Sequence, residues 1–102
     1  MYEPEVTKAR QLANSIISKT NDLYSYNKDV IRDKSFFNYV FILQQRSTLK
    51  ESIEQVLVEI NNEYKQLCSI QCSNIDNSII IKRLIILCQG SFYWHNISKR
   101  YV

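Results

Sequence analysis

Residues 3–29, EPEVTKARQLANSIISKTNDLYSYNKD, combine two patterns on which the interpretation of the whole chain depends. The first is a repeat of apolar side chains at helical spacing, at Val6, Leu12, Ala13, Ile16, Ile17 and Leu23. Pro4 suits the first turn of a helix, because its missing N–H would have no partner there. This pattern predicts one long helix over residues 3–28.

The second pattern is a stripe of oxygen-bearing side chains at Asn21, Ser25 and Asp29. Residues four apart on a helix differ by about 40° in direction and roughly 6 Å in height, so the three side chains should face the same point. Mg2+ prefers such oxygen ligands, with water and phosphates completing its octahedral shell. The carbonyl groups at a helix C-terminus also favour a cation. The same spacing is typical of a solvated helix face, and the residues alone leave that alternative open.

The run Asn-Asp-Leu-x-Ser-Tyr at residues 21–26, followed by Lys28 and Asp29, resembles the second metal-binding motif of class I terpene synthases. The family has Glu where this chain has Asp29, whose side chain is shorter by one methylene. The resemblance implies an Mg2+ site formed by Asn21, Ser25 and Asp29. It also implies that Lys28 contacts the diphosphate of a prenyl diphosphate substrate.

The pair Arg100-Tyr101 is similar to the Arg-Tyr pair that closes microbial-type terpene synthases. A planar guanidinium can donate two parallel hydrogen bonds to a diphosphate, and a phenolic hydroxyl can donate another. The resemblance implies that Arg100 and Tyr101 complete the diphosphate site. Taken alone, such a pair near the end of a chain would be read as an ordinary surface segment.

The scarcity of turn-forming residues predicts an all-α fold. The 102 residues include one Gly and one Pro, whereas short strands and hairpins need many such residues. Beyond the first helix and a loop at residues 30–35, helices are expected at 36–45, 48–67 and 78–93, with a short turn at 98–101. Thr48 with Glu51 forms a capping-box pattern, and Asp76 or Asn77 could cap the following helix. The expected structure is one domain over residues 1–102 with four to five helices. By resemblance it is the C-terminal portion of a terpene synthase (isoprenoid synthase) helical bundle.

Composition argues against several other functions. The formal charge of +3 comes from basic residues scattered among ten acids, which gives little support to nucleic-acid binding. The apolar residues 79–88 are interrupted by Lys82 and Arg83 and are too few to span a bilayer. An odd number of cysteines and no secretory leader indicate reduced thiols and a cytoplasmic location. A zinc site could be drawn from the residues Cys68, Cys72, Cys88 and His95, but the spacing fits small core residues better.

The resemblance implies Mg2+-dependent ionisation and cyclisation of a prenyl diphosphate, yet the first, aspartate-rich motif of the family is missing. The four aspartates of the chain, Asp22, Asp29, Asp33 and Asp76, include no adjacent pair. A truncated terpene synthase that is inactive alone is therefore expected. Its apolar helix faces should be exposed and available to an N-terminal complement or to self-association. Phe36, Phe37, Tyr93 and Trp94 are candidates for the cavity wall or, alternatively, for core packing.

Two rival functions remain. The first is a non-catalytic helical interaction module, in which the oxygen stripe is a solvated face and apolar helix faces bind another helix. The second is a basic helical nucleic-acid binder, whose binding would depend steeply on salt.

Overall fold

A computed structural model of the chain describes residues 4–72 and 74–99, with side chains described as far as residue 94. In that part of the chain the elements are α1 (Pro4–Tyr24), a π-helix (Asn27–Arg32), α2 (Tyr39–Gln44), α3 (Leu49–Ser69) and α4 (Ile75–Lys99). The described residues form helices and short connections without a strand. The prediction of an all-α fold with four to five helices is confirmed.

Helix α1 is the centre of the array, because α3 and α4 both pack along it while α2 packs chiefly on α3. Its buried side chains follow a spacing of three and four residues, as the apolar repeat predicts. They are Val6, Ala9, Ala13, Ile16 and Thr20. The hydroxyl of Thr20 donates a hydrogen bond of 2.7 Å to the carbonyl of Ile16, so this buried polar group is satisfied.

The C-terminal end of α1 differs from the prediction. Helix α1 ends at Tyr24, and the segment expected to continue it and then form a loop is largely a π-helix. The N–H of Asp33 donates to the carbonyl of Lys28, five residues earlier, at 2.9 Å. Lys34 then adopts a left-handed conformation, with φ of 53°, before the chain reaches α2. A π-turn is rare and often marks a functional site.

Helix α2 begins at Tyr39 rather than at residue 36, because Asn38 is its N-cap. Asn38 has an extended backbone, and its side-chain oxygen accepts hydrogen bonds from the N–H groups of Val40 and Phe41 at 2.9 and 3.4 Å. Phe36 and Phe37 therefore precede the helix and are largely exposed. The core-packing alternative for these two aromatic residues is wrong.

The predicted start of α3 is confirmed, and the predicted start of α4 is not. The Thr48 hydroxyl accepts from the N–H of Glu51 at 3.1 Å, as the capping pattern predicts. Helix α4 begins at Ile75 because the side chain of Asn74 caps it, accepting from the N–H of Asp76 at 2.8 Å. The residues proposed as caps, Asp76 and Asn77, thus lie inside the first turn.

The C-terminal boundary of α4 also differs, since this helix continues to Lys99 and includes the first half of the turn expected at residues 98–101. Apolar side chains lie on opposite faces of α4. Ile81 and Cys88 are buried, whereas another set of large apolar side chains is exposed to solvent: Ile75, Ile79, Ile86, Leu87, Tyr93 and Trp94. Because these large apolar side chains are exposed, α4 presents an unusually apolar surface to solvent. Core packing is again the wrong interpretation for Tyr93 and Trp94.

The three cysteines lie in different environments. Cys88 is buried, as a core residue should be, but Cys72 is only half-buried and Cys68 is exposed. Burial, with a smaller contribution from Cys68, raises the pKa of the Cys88 thiol to about 11. The interpretation of the cysteines as core residues is therefore correct for Cys88 and wrong for Cys68.

This difference predicts an order of thiol reactivity. Because only the thiolate attacks an electrophile, iodoacetamide should modify Cys68 more than about 100-fold faster than Cys88 in the folded chain at pH 8. Mass spectrometry of quenched time points would measure the two rates. In urea the rates should converge, and similar rates in the folded chain would contradict the buried position of Cys88.

Candidate metal and diphosphate site

Two of the three predicted metal ligands contact each other. Ser25 follows the last residue of α1, and Asp29 lies in the π-helix. The backbone N–H of Asp29 donates to the carbonyl of Ser25 at 2.8 Å, which holds the two residues one turn apart. The Ser25 hydroxyl lies 2.7 Å from Oδ2 of Asp29. The shorter side chain of Asp29 thus reaches its neighbour in the stripe.

The third predicted ligand, Asn21, lies in the last turn of α1 and is exposed. Its backbone carbonyl oxygen, and not its side-chain amide, accepts from the Ser25 N–H at 2.9 Å and lies 2.6 Å from the Ser25 hydroxyl. The single proton of the Ser25 hydroxyl can be donated either to the backbone carbonyl of Asn21 or to the carboxylate of Asp29. When it is donated to the carbonyl, a lone pair of the Ser25 oxygen is available beside the carboxylate.

The oxygens of Ser25 and Asp29 have a spacing that suits a hard divalent cation. Mg2+ binds oxygen at about 2.1 Å in an octahedral shell, so that neighbouring ligand oxygens are about 3 Å apart. The Ser25 and Asp29 oxygens, 2.7 Å apart, are close to that separation. The stripe supplies one formal negative charge, so affinity for the ion depends on phosphate oxygens as further ligands.

The residues predicted to contact diphosphate are only partly described. Lys28 lies on the π-helix next to Asp29, and it is exposed to solvent. Arg100 and Tyr101 lie outside the described residues. The roles of Lys28, Arg100 and Tyr101 therefore stay predictions.

Two further residues, Asp22 and Asn38, hold this region together in roles that the sequence did not indicate. Oδ2 of Asp22 accepts a hydrogen bond of 2.9 Å from the N–H of Tyr39, at the start of α2. The side chain of Asn38 donates to the carbonyl of Asp22 at 2.8 Å and to Oδ2 of Asp29 at 3.3 Å. Asp22, though adjacent to the stripe in sequence, is thus used to attach α2. No local pattern signals either role, because the partners are 9 to 17 residues apart.

A charged network lies on the other side of Tyr39. The Lys19 ammonium contacts Glu63 and lies 3.0 Å from Oε1 of Glu59. The Tyr39 hydroxyl donates to the same Glu59 oxygen at 2.9 Å, and the ammonium lies 5.5 Å from the centre of the Tyr39 ring. The network joins α1, α2 and α3. Since Tyr39 also binds Asp22 through its N–H, the network supports the turn that carries the stripe.

Opposing effects set the ionisation of this network. Burial alone would lower the pKa of Lys19, but hydrogen bonds to Glu63 and Glu59 and their charges raise it above its ordinary value of 10.5. For Glu59, burial alone would raise the pKa, but hydrogen bonds from Lys19, Tyr39 and Gln55 lower it below the ordinary value of 4.5. Burial and the hydrogen bond to Glu59 raise the pKa of Tyr39 above 10.0. The ionised pair and the neutral phenol are therefore the stable forms at neutral pH.

Two open cavities lie away from the stripe. One, of about 420 Å3, lies between the start of α1 and the end of α3, where Pro4, Lys8 and Gln66 contribute to its wall. The other, of about 380 Å3, is lined by residues that include Cys68, Cys72 and Ile81. Neither is lined by Asn21, Ser25, Lys28 or Asp29, so the candidate site rests on its donor atoms and not on a cavity.

The zinc interpretation gains no support from the described side chains. In that part of the chain no group of three or more His, Cys, Asp or Glu side chains is placed to hold a metal ion. The side chain of His95 is not among them. In addition, none of the described helices combines the length and apolar character that crossing a bilayer requires.

Comparison with known proteins gives one informative result. A family model described as terpene synthase family 2, C-terminal metal binding, matches residues 1–66. The matched segment includes α1, the π-helix, α2 and most of α3, and therefore the whole oxygen stripe. Residues 67–102, with Arg100 and Tyr101, lie beyond the match. No curated protein and no solved structure matches the chain.

Proposed function

The chain belongs to terpene synthase family 2, the C-terminal metal-binding family, and from this premise we propose that Asn21, Ser25 and Asp29 bind one Mg2+ ion together with a diphosphate. The observation that carries the proposal is the 2.7 Å contact between the Ser25 hydroxyl and the Asp29 carboxylate. This contact joins two of the predicted ligands, Ser25 and Asp29. It forms although Asp29 lies in a π-helix and has a shorter side chain than the Glu of the family motif.

The proposed roles follow from the donor atoms. Asp29 supplies the formal negative charge. Ser25 supplies a neutral hydroxyl oxygen, because its proton can be donated to the backbone carbonyl of Asn21. Lys28, Arg100 and Tyr101 contact the diphosphate oxygens as donors. When bound, the cation would supply the positive charge that stabilises a departing diphosphate. The substrate class is a prenyl diphosphate, and we propose that this chain binds its diphosphate group without turning the substrate over.

The test is calorimetric titration of the chain with inorganic pyrophosphate in the presence of Mg2+. The variant Asn21→Ala with Asp29→Ala should bind pyrophosphate at least about tenfold more weakly, because it loses two ligands. Asn61→Ala with Glu54→Ala is a matched control, since both residues are exposed on α3, a different helix from the one that carries Asn21. It removes the same groups and the same charge and should bind like the unmodified chain.

Two results would contradict the proposal. The first is Mg2+-dependent binding that the Asn21 and Asp29 substitutions leave unchanged. The second is binding that weakens equally in the control variant, since the effect would then come from net charge and not from the stripe.

A non-catalytic interaction module is the second candidate, and the exposed apolar side chains of α4 favour it. Its partner would be an N-terminal complement or a second copy of the chain. In this case the Asn21 and Asp29 substitutions leave every binding property unchanged, so the same titration separates the two candidates. We further propose that residues 1–102 act as one domain and that the chain is cytoplasmic.

A further inference from the structure

Asn38 is the most completely bonded buried polar side chain near the candidate site. Only 3% of its surface is exposed. Its oxygen accepts from the N–H groups of Val40 and Phe41, and its nitrogen donates to the carbonyl of Asp22 and to Oδ2 of Asp29. These four bonds use the full capacity of a side-chain amide.

The orientation of this amide is determined by its neighbours. The N–H groups of Val40 and Phe41 require an acceptor, so the oxygen of Asn38 must face α2. The nitrogen must then face the Asp22 carbonyl and the Asp29 carboxylate, which are both acceptors. A flipped amide would oppose two donors with a donor and two acceptors with an acceptor. The start of α2 thus fixes a hydrogen-bond donor 3.3 Å from Oδ2 of Asp29.

We propose that Asn38 is a positioning residue of the metal site, an inference that rests on the proposed function. Asp29 lies in a π-turn with a side chain shorter than the family motif has, and the Ser25 hydroxyl can turn its single proton from this carboxylate to the backbone carbonyl of Asn21. Asn38, on the other side of the turn, supplies a donor to the same Asp29 oxygen that does not depend on where the Ser25 proton points. Asn38 acts through Asp29 and contacts neither the ion nor the diphosphate.

A positioning role predicts a difference between two cations. Mg2+ requires nearly ideal octahedral geometry, whereas Ca2+ accepts six to eight oxygens in flexible arrangements. A carboxylate that has lost its orientation should therefore penalise Mg2+ much more than Ca2+. A general folding defect would weaken the binding of both ions by the same factor. The ratio of the two affinities consequently distinguishes positioning from a structural role.

The experiment uses Asn38→Ser, which retains an N-cap oxygen for α2 but removes the amide nitrogen that donates to Asp29. Asn74→Ser is the matched control, because Asn74 caps α4 in the same manner and is exposed. Calorimetry with pyrophosphate should show that Asn38→Ser weakens Mg2+-dependent binding by about tenfold or more and Ca2+-dependent binding by less than about threefold. Asn74→Ser should change neither affinity. Asn38→Thr, which fills more of the volume, provides a second variant if the serine variant does not fold.

The outcomes separate the two proposals. If the unmodified chain binds Mg2+ and pyrophosphate through Asp29, but Asn38→Ser leaves the Mg2+-to-Ca2+ affinity ratio unchanged, the positioning role is wrong and the proposed function stands. If the unmodified chain shows no Mg2+-dependent binding, both proposals are wrong. A fall in the ratio that is specific to the Asn38 variants supports both.

Discussion

The isolated chain should release no terpene hydrocarbon when it is incubated with Mg2+ and geranyl, farnesyl or geranylgeranyl diphosphate. Its four aspartates include no adjacent pair, so it lacks the first, aspartate-rich motif of the family that it resembles. Each factor of ten in rate corresponds to about 1.4 kcal/mol, and removal of a single stabilising donor can cost 100-fold or more. The loss of several cation contacts should therefore reduce turnover by many orders of magnitude.

Gas chromatography with mass spectrometry of the organic extract would test this expectation. A reaction with EDTA and one with Asp29→Ala are the controls, because both remove the contribution of the candidate metal site. A hydrocarbon that forms with the unmodified chain and disappears in both controls would show that the chain is catalytic by itself. Formation of product only after addition of a second chain with an aspartate-rich motif would instead identify a split enzyme.

The substitution Lys19→Met should lower the free energy of unfolding by about 1–3 kcal/mol. It leaves Glu59 and Glu63 facing each other without their shared ammonium. Breaking a fully buried ion pair costs about 3–5 kcal/mol. We expect a smaller loss for Lys19→Met because the side chains of this network are about one-fifth exposed. Lys8→Met is a suitable control, because Lys8 is exposed on the same helix and its loss changes the net charge equally. Urea unfolding followed by circular dichroism would measure both variants.

The effect of Lys19→Met should depend on pH in a defined direction. The pKa of Glu59 is lowered in the folded chain, so its contribution is present above 4.5 and is lost as the pH falls through the folded value. The pKa of Lys19 is raised, so its contribution is present below 10.5 and is lost as the pH rises through the folded value. The stability difference between the two chains should therefore be constant near neutrality and shrink at both extremes. A difference that is independent of pH would contradict the proposed network.

The main helices were predictable because their signals are local. Ile16 and Val6 belong to a helical repeat whose buried face can be read without knowledge of the partners, and both are fully buried. Thr48 and Glu51 form their hydrogen bond within one turn, so the start of α3 was also predictable. By contrast, the π-helix depends on hydrogen bonds over five residues that the composition of residues 27–32 does not indicate.

The candidate site was predictable only in part. The contact between Ser25 and Asp29 follows from their spacing of four residues, which survives the change from α-helix to π-helix. The roles of Asp22 and Asn38 could not be predicted, because each depends on how α2 meets the end of α1. A motif identifies the side chains that a ligand would meet, whereas the groups that hold those side chains come from elsewhere in the fold.

Helix α1 supplies the core face of the array and also ends at the oxygen stripe, and this arrangement affects the lifetime of the polypeptide. A ligand at 100 times its Kd adds about 2.7 kcal/mol to the stability of the state that binds it. Small domains have a total stability of roughly 5–15 kcal/mol, so such a gain would be a large fraction of it. Magnesium and pyrophosphate in a cell would then protect the chain from proteases whether or not it performs any chemistry.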